Sequence, residues 1–167
     1  GHGLIADPHW ANNVQNGKLD DINPCSGCGE CHFNAMKGHS RPCAVNVHGM
    51  REGEFPLTPA KSDLNILVIG AGPGGMKAAA TAAERGYRVS LYEKNTYMGG
   101  IMAAAGAPRF KADVHDQVEY LKRQIAKYPV GLHLNTESSL EDVQRRDAGF
   151  VGVATGAERG VVAVRGA

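Results

Sequence analysis

The sequence predicts an α/β fold in which helices cover a parallel sheet, preceded by a small cysteine-rich segment. Two observations support the sheet: apolar strand patterns alternate with helical patterns from Asn65 onward, and a glycine-rich turn joins the first strand to the first helix. A third observation defines the preceding segment, because all four cysteines of the 167-residue chain lie between Cys25 and Cys43.

The charge balance is nearly neutral, with 18 Lys and Arg residues, 17 Asp and Glu residues and a formal net charge of +1. Proteins that bind nucleic acid or a membrane surface normally carry a basic excess, so we expect neither partner. The first ten residues lack the features of a signal peptide, and no apolar run is long enough to span a membrane. We therefore expect a cytoplasmic protein with a small-molecule substrate, in a compartment where clustered cysteines bind metal.

Residues 1–24 are predicted to form a short helix followed by a loop. Asp7 can cap this helix and Gly17 can end it. Trp10 and Val14 are four residues apart, so they are expected to share one buried face. Because two helical turns are not stable alone, this helix must pack on another part of the protein.

The cysteine-rich segment, residues 25–48, has two gaps of two residues followed by a gap of eleven. Its cysteines are Cys25, Cys28, Cys31 and Cys43. Three closely spaced cysteines can wrap one loop around a polynuclear centre that the fourth completes, which favours a [4Fe–4S] cluster. Structural zinc, completed by His32 or His39, is an alternative, and disulfides are another.

Residues 49–63 form a predicted linker, after which the strand and helix patterns begin. Residues 66–69 are a continuous apolar run, as expected of a strand buried on both faces of a parallel sheet. A helix is predicted over residues 73–85 and a second strand over residues 88–92. The buried stripe of that helix is predicted to be Met76, Ala79, Ala80 and Ala83.

The second half of the domain continues the alternation. After a loop rich in glycine and alanine, Asp113 is predicted to cap a helix whose inward residues are Val114, Val118, Leu121 and Ile125. Ser138 and Glu141 resemble the capping box of a further short helix. The remaining strands are predicted at residues 132–134, 150–154 and 161–164.

The first strand is followed directly by the pattern G-x-G-x-x-G, here Gly70-Ala71-Gly72-Pro73-Gly74-Gly75. Gly70 permits a tight turn, Gly72 lets the backbone approach a pyrophosphate, and Gly75 lets the helix pack closely on the strand. The helix N-terminus adds free N–H donors and a positive dipole end. This order predicts a Rossmann-like, phosphate-binding turn, with a glycine-rich turn that binds no ligand as the alternative.

Glu93 ends the second strand, where a carboxylate can accept hydrogen bonds from a ribose and repel the 2′-phosphate of NADP. FAD and NAD share this fingerprint, so it does not choose between them. Two later features favour FAD: the Gly99-Gly100 pair, and the small residues Thr155 and Gly156 at the end of the fourth strand. On physical grounds each of these is also compatible with a simple tight turn.

With these motifs the chain resembles the multidomain iron–sulfur flavoenzymes related to old yellow enzyme, a family that includes 2,4-dienoyl-CoA reductase, 2-enoate reductase and trimethylamine dehydrogenase. The matching motifs are residues 23–28 at the cluster entry, 67–75 at the turn, 98–100 in the Gly-Gly loop and 154–156 at the strand end. Residues 3–8 are similar to the end of the barrel domain that precedes the cluster. The resemblance covers nearly the whole chain, as part of the C-terminal half of such an enzyme.

The resemblance implies that the four cysteines hold a [4Fe–4S] cluster and that a nucleotide, FAD or ADP, is held by Gly70, Ala71, Gly72, Pro73, Gly74, Gly75, Glu93, Lys94, Gly99, Gly100, Thr155 and Gly156. It also implies a barrel tail in residues 1–24, a cluster segment in 25–48, a linker in 49–63 and an incomplete dinucleotide-binding domain in 64–167. An FMN barrel and an NAD(P)H domain of the same polypeptide are the expected partners. No catalytic residue is named, because the general acid or base is expected in the barrel.

The implied function is electron transfer in an oxidoreductase. NAD(P)H would reduce FAD, the cluster would pass single electrons, and FMN in the barrel would reduce an activated C=C bond, so that this part alone is expected to be inactive. A trimethylamine-dehydrogenase-like enzyme with bound ADP is one alternative, and its cysteine triplet has the same two-residue gaps. The others are a protein of the glutamate-synthase small-subunit type and a zinc-stabilised NAD-binding module.

Overall fold

The computed structural model describes residues 1–39 and 43–157. The helices within these ranges are α1 (His2–Ala6), α2 (Trp10–Gln15), α3 (Glu30–Met36), α4 (Pro73–Glu84), α5 (Gly100–Ala105), α6 (Ala112–Lys127) and α7 (Leu140–Arg145). The strands are β1 (Asn65–Ile69), β2 (Arg88–Tyr92), β3 (Val130–His133) and β4 (Phe150–Val153). Short 3₁₀ turns lie at Leu19–Asp21 and Arg109–Lys111. The strand predicted at residues 161–164 lies outside the described residues.

In the described part of the chain, the strands form one parallel sheet in the order β3-β2-β1-β4. β1 lies in its interior, where Val68 is in register with Leu91 of β2 on one side and with Gly152 of β4 on the other. Leu67 and Val68 are both buried although neighbouring side chains point to opposite faces, which explains the continuous apolar run. The parallel sheet with its connecting helices confirms the predicted α/β fold class.

The core lies between the sheet and the helices α4 and α6. The predicted core residues that are buried there are Met76, Ala79, Ala80, Ala83, Val118, Leu121 and Ile125. Each large apolar side chain among them contributes about 1.5–3 kcal/mol on burial. The alanines of α4 have no bulk to hold the helix away from the sheet, so the N-terminus of α4 lies close to the end of β1.

The stretch after β2 that was predicted as a loop contains the helix α5. Gly99, with a φ of 114°, is its N-cap residue, and the alanines that follow have a high helix propensity. The next helix, α6, starts one residue before the predicted cap. Lys111 is its N-cap residue and Asp113 lies in its first turn, where a carboxylate still interacts favourably with the helix dipole.

The capping box of α7 is shifted by one residue from the predicted Ser138 and Glu141. Ser139 Oγ accepts a hydrogen bond from the Asp142 N–H at 3.1 Å, and the Asp142 carboxylate accepts one from the Ser139 N–H at 3.0 Å. Ser138 instead accepts a hydrogen bond from Arg146 at 3.0 Å. Two strand boundaries also differ from their predictions. Strand β3 begins two residues before the predicted start, and β4 ends one residue before the predicted end.

The N-terminal segment differs from its prediction in the role of Asp7. This residue follows α1, and its carboxylate accepts hydrogen bonds from the N–H groups of His9 at 2.8 Å and Asn23 at 3.0 Å. The helix that Asp7 was expected to cap begins only at Trp10, with His9 as its N-cap residue. Trp10 and Val14 are 42% and 41% exposed, so the shared buried face is not present in the described residues. The buried Asp7 carboxylate therefore connects the turn before α2 with the loop that contains Asn23.

Residues 49–63 contain turns but neither helix nor strand. The end of this stretch is fixed to α4, because the Ala60 N–H donates to the Arg85 carbonyl at 2.7 Å and Arg85 Nε donates to the Thr58 carbonyl at 2.7 Å. The predicted domain boundaries stay predictions. Among the described helices, none is both long and apolar enough to cross a membrane.

Candidate functional site

The turn between β1 and α4 requires glycine at two positions. Gly70 has a φ of 101°, and a Cβ atom there would collide with the carbonyl oxygen of Ala154. A Cβ atom on Gly75 would collide with the carbonyl oxygen of Gly70. The Gly70 N–H donates to the Tyr92 carbonyl at 2.7 Å, which fastens the turn to β2. The helix therefore starts directly at the carboxyl end of the strand, in the geometry that the glycine pattern predicts.

The other two glycines of the turn face open space. A Cβ atom added at Gly72 or Gly74 meets no atom of the described residues within 4 Å. Gly72 is the N-cap residue of α4, and Pro73 occupies its first turn, where a missing N–H costs nothing. The free N–H groups at the start of this 12-residue helix carry partial positive charge. This surface can accept an anion such as a pyrophosphate.

Glu93 lies at the end of β2, is 6% exposed and is bonded to the glycine turn. Its Oε2 accepts a hydrogen bond from the Ala71 N–H at 2.8 Å. Its Oε1 accepts two hydrogen bonds from Asn95, one from the N–H at 2.9 Å and one from Nδ2 at 2.7 Å. Because each carboxylate oxygen has two lone pairs, Oε2 retains an acceptor position for a further donor. Asn95 was not identified from the sequence, where its position two residues after Glu93 was the available signal.

A pocket of about 220 Å³ opens beside Glu93, at the carboxyl ends of β1, β2 and β4. Four of the predicted site residues line it: Gly70, Glu93, Lys94 and Thr155. Residues 136–138, from the loop before α7, form its opposite wall. Ligands of open α/β sheets bind at this edge, so the pocket lies where the fold favours a nucleotide.

The Gly-Gly pair packs against the turn. The Gly99 N–H donates to the Ala71 carbonyl at 2.8 Å. A Cβ atom on Gly99 would lie 2.8 Å from Val118 Cγ1, and one on Gly100 would lie 3.3 Å from the Cα of Gly72. These two glycines therefore let α5 and α6 approach the turn closely.

The strand-end motif crosses in front of the same turn. The Ala154 N–H donates to the Ile69 carbonyl at 2.8 Å. The Cα of Thr155 lies 3.1 Å from the position of a Cβ atom on Gly70. Gly156 has a φ of 79° and no described atom near its Cβ position. The structure thus brings the predicted nucleotide-site residues together around one strand edge, and their role in binding stays a prediction.

The predicted metal ligands line a second, separate pocket. The residues brought together there are Cys25, Cys28, Cys31 and Cys43. All four are free thiols, Cys28 exposed and the others half-buried. Gly27 and Gly29 have φ values of 64° and 74°, which allow the tight turns between the first three cysteines. His2 and Val45 also line this pocket, and sequence reasoning had not assigned His2 to it.

The thiols are not arranged around a single ion. Tetrahedral zinc with Zn–S bonds of about 2.3 Å requires sulfurs only about 3.8 Å apart, and no group of three His, Cys, Asp or Glu residues in the described ranges is placed to hold one ion. His32 and His39 do not line the pocket. A cluster places each thiolate on a different iron, and four soft sulfur donors suit iron–sulfur chemistry. The free space between the walls of this pocket is about 10 Å³.

Comparison with known proteins identifies the kind of chain that carries these two pockets. Residues 65–145 match the protein-family model described as FAD dependent oxidoreductase. The chain is 34% identical to a cinnamate reductase from Clostridium sporogenes, over 100% of this chain and 25% of that protein.

Two solved structures superpose on the chain. A 2-naphthoyl-CoA reductase in complex with 2-naphthoyl-CoA does so with a TM-score of 0.91 at 30% identity, covering 99% of this chain and 26% of that one. Histamine dehydrogenase from Rhizobium sp. 4-9 does so with a TM-score of 0.88 at 29% identity, covering 95% of this chain and 25% of that one. These comparisons confirm the resemblance to the multidomain flavoenzymes related to old yellow enzyme.

The similarity to these flavoenzymes agrees with the resemblance found in the motifs. The relatives are oxidoreductases, and they include reductases as well as amine dehydrogenases. The family match covers the glycine turn, Glu93 and the Gly-Gly pair, and it supports FAD as the nucleotide of this flavoenzyme. The chain spans about a quarter of the length of these relatives.

A third, polar cavity of about 340 Å³ lies between the N-terminal segment and helices α4 and α6 of the flavoenzyme chain. Burial lowers the pKa of Lys77, and the nearby Glu84 opposes this shift. Burial raises the pKa of Tyr120 to about 12, and the charges of Asp7 and Glu84 add to the effect. Burial and a hydrogen bond to Glu84 also raise the pKa of Tyr128. Sequence reasoning missed these groups because only the folded chain brings them together.

Proposed function

We propose that the chain is the electron-carrying part of an NAD(P)H-dependent oxidoreductase with FAD, a [4Fe–4S] cluster and FMN that reduces an activated C=C bond. The observation that carries this proposal is the presence of two built pockets in one chain of this flavoenzyme family, one lined by four free thiols and one by the glycine turn and Glu93. The overall reaction balances: NAD(P)H supplies a hydride, water supplies a proton, and the C=C bond becomes a CH–CH bond.

On the nucleotide side, the backbone of the turn would hold the pyrophosphate of FAD. Gly72 and Gly74 leave space for it, and the N-terminus of α4 offers free N–H donors. Glu93 would accept a hydrogen bond from the adenosine ribose, in an orientation fixed by Ala71 and Asn95. The exposed Lys94 at the pocket wall is placed to contact the same end of the nucleotide.

On the thiol side, the four cysteines would bind the cluster as thiolates. The fit rests on the donor set, because the pocket walls bring four soft sulfur ligands to one place. When bound, the flavins supply two-electron and the cluster one-electron redox chemistry. The residues of this chain position and tune these groups, and they carry out no acid–base step.

The partners follow from the chain's share of its relatives. Because the chain spans about a quarter of their length, we propose that an FMN barrel and an NAD(P)H domain of the same polypeptide complete the enzyme. The near-neutral charge fits a small-molecule substrate better than nucleic acid or a membrane. A cytoplasmic location is part of the proposal, because free thiols persist in a reducing compartment.

An amine dehydrogenase is the second candidate function. It is favoured by the likeness to histamine dehydrogenase, which nearly equals the likeness to the naphthoyl-CoA reductase. In this case the barrel would oxidise an amine, the electrons would leave through the cluster, and the nucleotide site would hold ADP.

The test is to purify the intact protein without oxygen and to identify its bound groups and its substrates. We expect FAD among the released nucleotides, iron with acid-labile sulfide, and oxidation of NADH or NADPH that depends on an unsaturated acid such as cinnamate. Release of ADP together with amine-dependent reduction of an external acceptor would support the second candidate instead. Protein that carries one zinc ion and no flavin would refute both.

A further inference from the structure

We propose that Asn23 is a positioning residue for the four-cysteine pocket, because its side chain closes the cysteine loop and attaches that loop to α6. The inference rests on the proposed function, since it concerns the cluster that this pocket would hold. Asn23 lines the polar cavity beside α4 and α6 rather than the cysteine pocket or the nucleotide pocket, and it lies in the loop before the first cysteine.

The side chain of Asn23 joins the two ends of the cysteine segment. Asn23 lies two residues before Cys25, and Val45 lies two residues after Cys43. Asn23 Nδ2 donates to the Val45 carbonyl at 3.0 Å and to the Ala6 carbonyl at 3.1 Å. All four thiols therefore lie in a loop that this amide group closes, so the position of Cys43 relative to the other thiols depends on it.

The side-chain amide and the backbone N–H of Asn23 all have hydrogen-bond partners. Its N–H donates to Asp7 Oδ2 at 3.0 Å, and its Oδ1 accepts a hydrogen bond from Gln117 Nε2 at 3.1 Å. Asn23 is 8% exposed and Gln117 is 4% exposed. An amide supplies the two donors and one acceptor that this site needs, whereas a carboxylate can donate to neither carbonyl. The site is therefore specific for asparagine.

The bond to Gln117 connects the cysteine loop with the nucleotide site through one helix. Gln117 lies in α6, and its neighbour Val118 packs beside Gly99 of the Gly-Gly pair. On the same helix, Asp113 Oδ2 lies 3.7 Å from the Cβ position of Gly27 in the cysteine loop. Helix α6 thus contacts both sites, and the Asn23–Gln117 bond is the buried polar contact that fixes their relative placement.

The same segment offers a matched control in Asn34. Asn34 lies in α3 between Cys31 and Cys43, and its exposed Nδ2 donates within the same helix to the Glu30 carbonyl at 2.9 Å and to the Glu30 carboxylate at 2.6 Å. Changing either asparagine to aspartate adds one negative charge within or directly beside the cysteine segment. Only the change at Asn23 removes the donors that close the loop.

The experiment compares Asn23→Asp, Gln117→Met and Asn34→Asp in the intact protein. Iron, acid-labile sulfide and FAD are quantified per chain, the reduced cluster is examined by EPR, and its loss to an iron chelator is followed by visible absorbance. Loss of ligand-orienting contacts typically lowers metal affinity by about 10- to 100-fold, so we expect cluster loss to be at least about tenfold faster in Asn23→Asp. Gln117→Met should keep its iron but show an altered EPR spectrum, and Asn34→Asp should behave as the wild type.

Chelator resistance and an EPR spectrum equal to the wild type in Asn23→Asp would overturn the inference while leaving the proposed function intact. A wild-type protein without iron and sulfide would instead remove the proposed function itself. If Asn23→Asp loses FAD as well as iron, the substitution has affected the fold. The EPR spectrum of Gln117→Met then tests the positioning role. An unchanged EPR spectrum in that variant would overturn the positioning role.

Discussion

Replacing Glu93 by glutamine tests whether the charge and the acceptor capacity of this carboxylate hold the nucleotide. The change keeps the size of the side chain but replaces one acceptor oxygen by a donor. In the native structure both oxygens face N–H donors, with Ala71 on one side and Asn95 on the other. A glutamine side chain therefore places its own NH₂ group against a donor in either orientation.

The magnitude follows from these contacts. Glu93 is 6% exposed, so a donor that loses its partner there costs about 1–3 kcal/mol of stability. Hydrogen bonds to a charged group contribute about 1.5–3 kcal/mol and neutral ones about 1 kcal/mol. The ribose bond should therefore weaken by about 1–2 kcal/mol, which raises the Kd of FAD by about 5- to 30-fold.

The assay is fluorescence titration of the nucleotide-free intact protein with FAD, together with its thermal unfolding. Glu141→Gln is the matched control, because it makes the same substitution at an exposed position on α7, away from the pocket. We expect the control to bind FAD as the wild type does. A Kd for Glu93→Gln within twofold of the wild type would refute the assignment of Glu93 to the ribose.

Three further predictions concern the turn, the thiols and the polar cavity. Gly75→Ala should lower the free energy of unfolding by about 3 kcal/mol or more, because its Cβ atom collides with a backbone carbonyl. Gly74→Ala should raise the free energy of unfolding by about 0.5–1 kcal/mol, because its Cβ atom meets open space. Urea denaturation of the nucleotide-free protein distinguishes the two variants. Cys28→Ser should abolish assembly of the cluster, and an unchanged iron content would contradict its role as a ligand. Tyr120 has a pKa raised to about 12 from about 10, so its neutral form stabilises the fold fully below pH 10, and this contribution is lost as the pH rises through 12. Tyr120→Phe should flatten that decline by at most about 3 kcal/mol, and an equally steep decline in both proteins would contradict the assignment.

Local patterns predicted the sheet and the turn well because the physical demands there are local. The apolar run at Leu67 and Val68 follows from burial on both faces of a strand that has neighbours on both sides. The glycine at position 75 follows from a close contact with the Gly70 carbonyl five residues earlier, and the glycine at position 70 follows from its φ of 101° in the turn. These features can be recognised from spacing alone.

The errors arose where neighbouring residues offer equivalent local signals. Two serines, Ser138 and Ser139, precede two acids, Glu141 and Asp142, so two capping boxes were possible, and the folded chain uses the second. Glycines before α5 suggested a loop, although Gly99 in a left-handed conformation begins a helix there. Choosing between such alternatives requires the tertiary position of each end.

Contacts distant in sequence could not be predicted at all from the motifs. Asn23 and Gln117 are separated by 94 positions, and neither residue type is diagnostic on its own. Asn95 supports Glu93 from close by, but an asparagine two residues after a strand end is common in turns that bind nothing. The motifs therefore predicted ligands for the two sites but missed the residues that hold those predicted ligands in place.

The separation of the two sites is a property of α6 rather than of either motif. A 16-residue helix is about 24 Å long and moves as one body. Gln117 and Val118 are adjacent on it but point about 100° apart, so one meets the cysteine loop and the other the Gly-Gly pair. A shift of the helix would displace both contacts together. Grafting the cysteine triplet or the glycine turn onto another scaffold would therefore transfer one site without its distance to the other. The proposed electron transfer between the two sites would then depend on residues outside both motifs.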